Sequence, residues 1–97
     1  MATYITLLNY TEQGIRNMKQ SPKRVEAARQ LMAKHGAELK AFYLTLGAHD
    51  AVSIMEAPND ETAAKILLNL GAQGNVRTVT LRAFDEGQYR DIVASLP

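Results

Sequence analysis

Residues 38–57 read Glu38-Leu39-Lys40-Ala41-Phe42-Tyr43-Leu44-Thr45-Leu46-Gly47-Ala48-His49-Asp50-Ala51-Val52-Ser53-Ile54-Met55-Glu56-Ala57, and this stretch decides the architecture. Two strand-like runs, about 38–46 and 51–56, flank the tight connection Gly47-Ala48-His49-Asp50, the pattern of a hairpin. Upstream, Ser21-Pro22 opens a helix, with the serine as cap and proline at the first helical position, where its missing N–H costs nothing. Val25, Ala28, Leu31, Met32 and His35 then recur at helical spacing until Gly36 ends it. Before that helix comes a strand, Thr3 to Asn9, and a short turn, Thr11-Glu12-Gln13-Gly14, expected to point Ile15 and Met18 inward. Downstream, Pro58-Asn59-Asp60 closes the hairpin and caps a second helix through Leu70, with Gly71 as its stop. Gly74-Asn75 turns into a last strand, Val76 to Phe84. Asp85, with Gln88 as its capping-box partner, begins a final helix expected to bury Tyr89, Ile92, Val93 and Leu96.

Strand, helix, hairpin, helix, strand is the split βαβ arrangement. The fold class is therefore α+β, ferredoxin-like βαββαβ, a single domain over residues 1–97. Its usual antiparallel sheet has strand order 4-1-3-2 and both long helices on one face. Alternation sorts the strand residues into two sets. Ile5, Leu7, Phe42, Leu44, Leu46, Val52, Ile54, Val79, Leu81 and Ala83 are strongly apolar and are expected to meet the helices. Tyr4, Thr6, Leu8, Ala41, Tyr43, Thr45, Ala51, Ser53, Met55, Thr78, Thr80 and Arg82 make a mixed face that suits a partner sheet and a pocket lined with hydroxyls. Threonine is also simply a good strand former on a half-wet sheet.

With 97 residues the chain has one modest core, and docking onto a second copy would help to cover its apolar surface. Eleven basic and ten acidic residues leave a formal charge of +1, no footprint for nucleic acid or an anionic membrane. The absence of cysteine removes disulfides, thiolate metal sites and cysteine nucleophiles. Met1-Ala2-Thr3-Tyr4 lacks the features of a secretory signal, and no apolar run is long enough to span a bilayer, so the expected location is cytoplasmic.

Tyr43 to Val52, followed by Glu56-Ala57-Pro58-Asn59-Asp60, resembles the GYD-domain family, named for a Gly-x-Tyr-Asp signature at this hairpin and carrying a Glu-x-Pro segment after it. Tyr4-Ile5-Thr6-Leu7 through Tyr10-Thr11, with Gly14 and Ile15, and Val76 to Phe84 are similar to the family's first and last strands. His49 stands where the signature has tyrosine; both are planar and hydrogen-bond, but only histidine titrates near neutral pH. The resemblance implies a dimeric α/β barrel, two sheets facing each other around a cavity. That superfamily holds cofactor-free monooxygenases, isomerases, haem enzymes and plain ligand-binding modules, so the likeness carries a fold and not a reaction.

Strand order is expected to bring His49 and Asp50 towards Tyr4 and Arg82. A carboxylate beside an imidazole fixes its tautomer and raises its basicity, and a tyrosine and an arginine could bind a phenolate, enolate or carboxylate. Against this, Asp50 can cap the hairpin while His49 sits at an exposed turn, and adjacent strand residues point to opposite faces. Two readings follow. One is a homodimeric module that holds a small, largely apolar molecule between its sheets, with Tyr4, Thr6, Tyr43, Ser53, Thr78 and Arg82 as ligand contacts, or that serves as an assembly unit. The other is a cofactor-free enzyme with His49 as acid or base. Neither reading calls for a metal or cofactor: two histidines and no cysteine give no convincing ligand spacing.

Overall fold

β1 (Ala2–Tyr10) ends at Thr11, which caps the short α1 (Glu12–Arg16) by accepting from the Gly14 N–H at 3.1 Å. The computed structural model describes all residues from Met1 to Pro97. Gly14 is required by contact: a Cβ there would lie 2.1 Å from the carbonyl oxygen of Asn75. The same turn accepts from the Thr11 N–H through Asn75 O (3.1 Å) and from the Thr11 hydroxyl through Gly74 O (2.5 Å). α1 is thus clasped to the turn before the last strand. It packs through Gly14, and Ile15, expected to point inward, is 60% exposed.

A 3₁₀ turn, Met18–Gln20, runs directly into α2 (Ser21–Lys34), so Gln20, and not Ser21, occupies the cap position. Gly36, with φ 71°, lets the Ala37 N–H reach back to Met32 O at 2.8 Å and ends α2 in a Schellman turn. β2 (Glu38–Leu44) and β3 (Ala51–Ala57) form the hairpin. β2 stops two residues before the expected Leu46, because the Thr45 N–H already turns to Asp50 O (2.9 Å) and Gly47 takes φ 117°. Asn59 caps α3 (Asp60–Ala72) through the Thr62 N–H at 2.9 Å. α3 continues through Gly71, and the chain turns instead at Gly74, φ 83°, into β4 (Val76–Ala83). α4 (Glu86–Ala94) opens with the expected Asp85–Gln88 capping box.

The sheet order is β2-β3-β1-β4 with every neighbouring pair antiparallel, the expected 4-1-3-2 order. In β1, β3 and β4 the faces are the reverse of the expectation, whereas in β2 Phe42 and Leu44 lie on the helix side and Tyr43 on the other, as expected. The core against α2 and α3 contains Tyr4, Leu39, Met55 and Ala57 from the sheet, with Met32, Ala63 and Ile66 from the helices. Thr6, Ala51 and Ser53 are buried beside them. The large aliphatic set of Ile5, Leu7, Val52, Ile54, Val79 and Leu81 lies on the open side. Small residues at Ala51, Ala57 and Thr6 let the helices approach the sheet closely, so the more apolar face is not the helix face. In β2 a register shift between Leu39 and Ala41 turns Leu39 and Phe42 to the helix side together.

α4 contradicts its expectation too: Tyr89, Ile92, Val93 and Leu96 are 46–65% exposed. The helix stands off the body, and the radius of gyration is 14.6 Å where a compact chain of this length would have roughly 12.5 Å. No helix is long and apolar enough to cross a membrane.

Candidate functional site

The open sheet face carries the strand hydrophobics that the helices leave uncovered. Cross-strand register places Ile5 between Ile54 and Leu81, and Leu7 between Val52 and Val79. Tyr43 pairs with Val52 and extends the patch to β2. Tyr43, Val79 and Leu81 are 49–59% exposed, and nothing in the chain covers them. A contiguous apolar surface of this kind marks an interaction site. Glu56, paired with Thr3, and Arg77, paired with Asn9, stand at opposite corners of the face.

The expected meeting of His49 and Asp50 with Tyr4 and Arg82 does not occur. Leu8 pairs with Ala51, so the hairpin tip lies at the far end of β1, and Tyr4 is five residues, roughly 17 Å, from Asn9. At that tip Asn9 holds the histidine. Its amide donates to Ala48 O at 3.1 Å, which leaves Asn9 Oδ1 to accept from His49 Nδ1 at 2.9 Å and frees Nε2. Asp50 does not touch the imidazole; its Oδ2 accepts from the Tyr10 N–H at 2.9 Å and finishes the edge of β1.

At the other end the Tyr4 hydroxyl donates to Asp60 Oδ1 at 2.5 Å, and Arg82 Nε lies 3.9 Å from the same oxygen. The Arg82 guanidinium also lies 4.7 Å from the Phe84 ring centroid and 5.6 Å from that of Tyr4. Burial, then the hydrogen bond to Asp60 and the Asp60 charge, push the Tyr4 phenol above its usual value, with the Arg82 charge pulling the other way. Tyr4 is itself buried, so it anchors α3 to the sheet and does not line an inter-sheet pocket. Thr6 and Thr80 bond to each other at 3.0 Å on the helix side, where Ser53 and Thr78 also lie. Of the six expected ligand contacts only Tyr43 stands on the open face. Sequence reasoning missed Asn9 and Asp60 as partners; the signals for them were a polar residue ending an apolar strand and an acid in the first turn of a helix.

The model of the GYD domain matches residues 4–93. The chain belongs to the GYD-domain family. A curated relative from Thermus thermophilus, named glutamine synthetase and cystathionine beta-lyase binding protein, is 33% identical over 97 residues, covering 99% of each chain. Among solved structures, the crystal structure of TTHA0845, from the same bacterial species, superposes with TM-score 0.56. It shares 22% identity and covers 88% of this GYD-domain chain and 95% of its own. That likeness extends the fold assignment from sequence to shape.

Proposed function

We propose that this chain is a homodimeric binding module that closes its open sheet face against a second copy and, as a dimer, docks on a metabolic enzyme. The uncovered apolar sheet face carries the first half. Only 12 of 97 residues are buried in the single chain, so its core is completed by association. The corner charges favour a second copy as the occupant. Neither Glu56 nor Arg77 has an ion-pair partner within the chain, and a two-fold axis in the plane of the face that exchanges the corners sets each against its opposite. The second half rests on the relative whose name records binding to glutamine synthetase and cystathionine β-lyase.

The test uses purified components. Light scattering gives twice the chain mass at micromolar concentration, and Ile54→Glu, which buries an unpaired charge in the interface, gives the monomer. Calorimetry against purified glutamine synthetase and against purified cystathionine β-lyase shows binding of at least one by the wild type. A monomeric wild type ends the dimer reading, and no heat with either named enzyme ends the partner reading.

The alternative of a cofactor-free enzyme keeps one observation in its favour: Asn9 fixes the His49 ring and leaves Nε2 free for proton transfer. Tyr4 and Arg82, at the opposite end of the strand, do not serve that site.

A further inference from the structure

Between the sheet and the helices lies a cavity of about 80 Å³, open on one side and lined by nine hydrophobic residues of fourteen. Leu39, Phe42 and Leu8 form its floor, and Val25, Met32 and Leu70 its helical wall. Such walls offer water few partners. Five polar residues break them, Ser21, Arg24, Gln73, Asn75 and Ser53, and of these only Ser53 is buried. Ser53 is 7% exposed and lines the cavity, and its hydroxyl has no hydrogen-bond partner in the chain, although it is not sealed from the cavity space. Its cross-strand neighbour Thr6 differs, for that hydroxyl is already bonded to Thr80. At the mouth stands Arg24, tethered through Asn17 O at 2.8 Å and Gly14 O at 3.3 Å. Those bonds hold the guanidinium in place but leave it without an acidic partner.

We propose that this helix-side cavity is a binding site for a small monocyclic aromatic carboxylate whose ring enters between Phe42 and α2, with a hydrogen-bonding substituent on Ser53 and the carboxylate on Arg24. The size argues for one ring: a sealed apolar cavity of about 150 Å³ holds benzene, and this smaller one gains room only through its open side. The charge at the mouth argues for an acid, because a tethered guanidinium loses little freedom on binding a carboxylate. The site lies on the opposite side of the sheet from the proposed assembly face, so either can fail without the other.

The probe is 4-hydroxybenzoate, titrated into the full-length protein and followed by amide and methyl NMR. Shifts are expected at Leu39, Phe42, Ser53 and Met32, with none at Ile5, Val52 or Val79. Ser53→Ala weakens binding by about five- to tenfold, the effect of one lost hydrogen bond, while leaving benzoate, which lacks the hydroxyl, unchanged. Arg24→Gln weakens both ligands. Ala28→Phe fills the cavity and abolishes binding; a dispersed amide spectrum shows that the variant is folded, and Ala28→Leu replaces it should it not fold. Absence of shifts at millimolar ligand, shifts centred on the open face, or affinity untouched by both Ser53→Ala and Arg24→Gln would overturn the assignment.

Discussion

Tyr4 shows how a residue can be identified correctly as significant and still be given the wrong partner. Its position at the head of an alternating strand was legible. The face it points to was not, because the parity of a strand is fixed by which side the helices choose, and here they choose the side with the smaller residues. Its bond to Asp60 makes a pH prediction. The folded phenol titrates above its unfolded value, so its contribution to stability is complete below about pH 10 and is lost as pH rises through the raised folded value. Urea denaturation from about pH 8 to about pH 11 is expected to show a steeper alkaline decline in the wild type than in Tyr4→Phe. The variant costs about 1 kcal/mol at neutral pH. Identical alkaline slopes would mean that Tyr4 is not the group responsible. His49 and Asp50 teach the complementary lesson: a pair was weighed against a backbone-bonding Asp50 with the two side chains apart, and the hydrogen bonds follow the second, giving each a different neighbour on β1.

Among the elements, the strands, the long helices and their order were readable from punctuation alone. Gly36, the Gly47 loop, Asn59 and the Asp85–Gln88 box act where the sequence put them. What hydrophobic periodicity could not show is whether an amphipathic helix has anything to lie against, and α4 does not. Nor does periodicity see a bulge, which is why strict alternation separates Leu39 from Phe42 while the fold sets them on one face. The clasp between α1 and the turn before β4 depends on one missing side chain. Gly14→Ala places a methyl group against backbone, which cannot rotate away, and is expected to cost about 1–3 kcal/mol. For a domain of this size that lowers Tm by roughly 5–15 °C in a thermal melt. A melt unchanged within a degree would show that the turn yields freely.

For the molecule as a whole, the reversal of faces changes what a partner copy would meet: a large aliphatic surface with two charged corners in place of a hydroxyl-lined one. Glu56→Arg is expected to weaken the proposed dimer about tenfold by setting like charges together, and adding Arg77→Glu to restore it. Single and double variants of equal affinity in sedimentation equilibrium would discard that geometry. The register shift in β2 bears on how such association ends. A sheet with bare outer strands can grow sideways without limit, each copy adding to the last. Here one outer strand is kinked around Lys40 and loses its regular ladder, and the other carries Arg77 and Arg82. Irregularity and like charge at the two margins discourage strand addition. Growth by that route is disfavoured, so in the proposed assembly the bare aliphatic face, and not a strand edge, is the surface a second copy would meet.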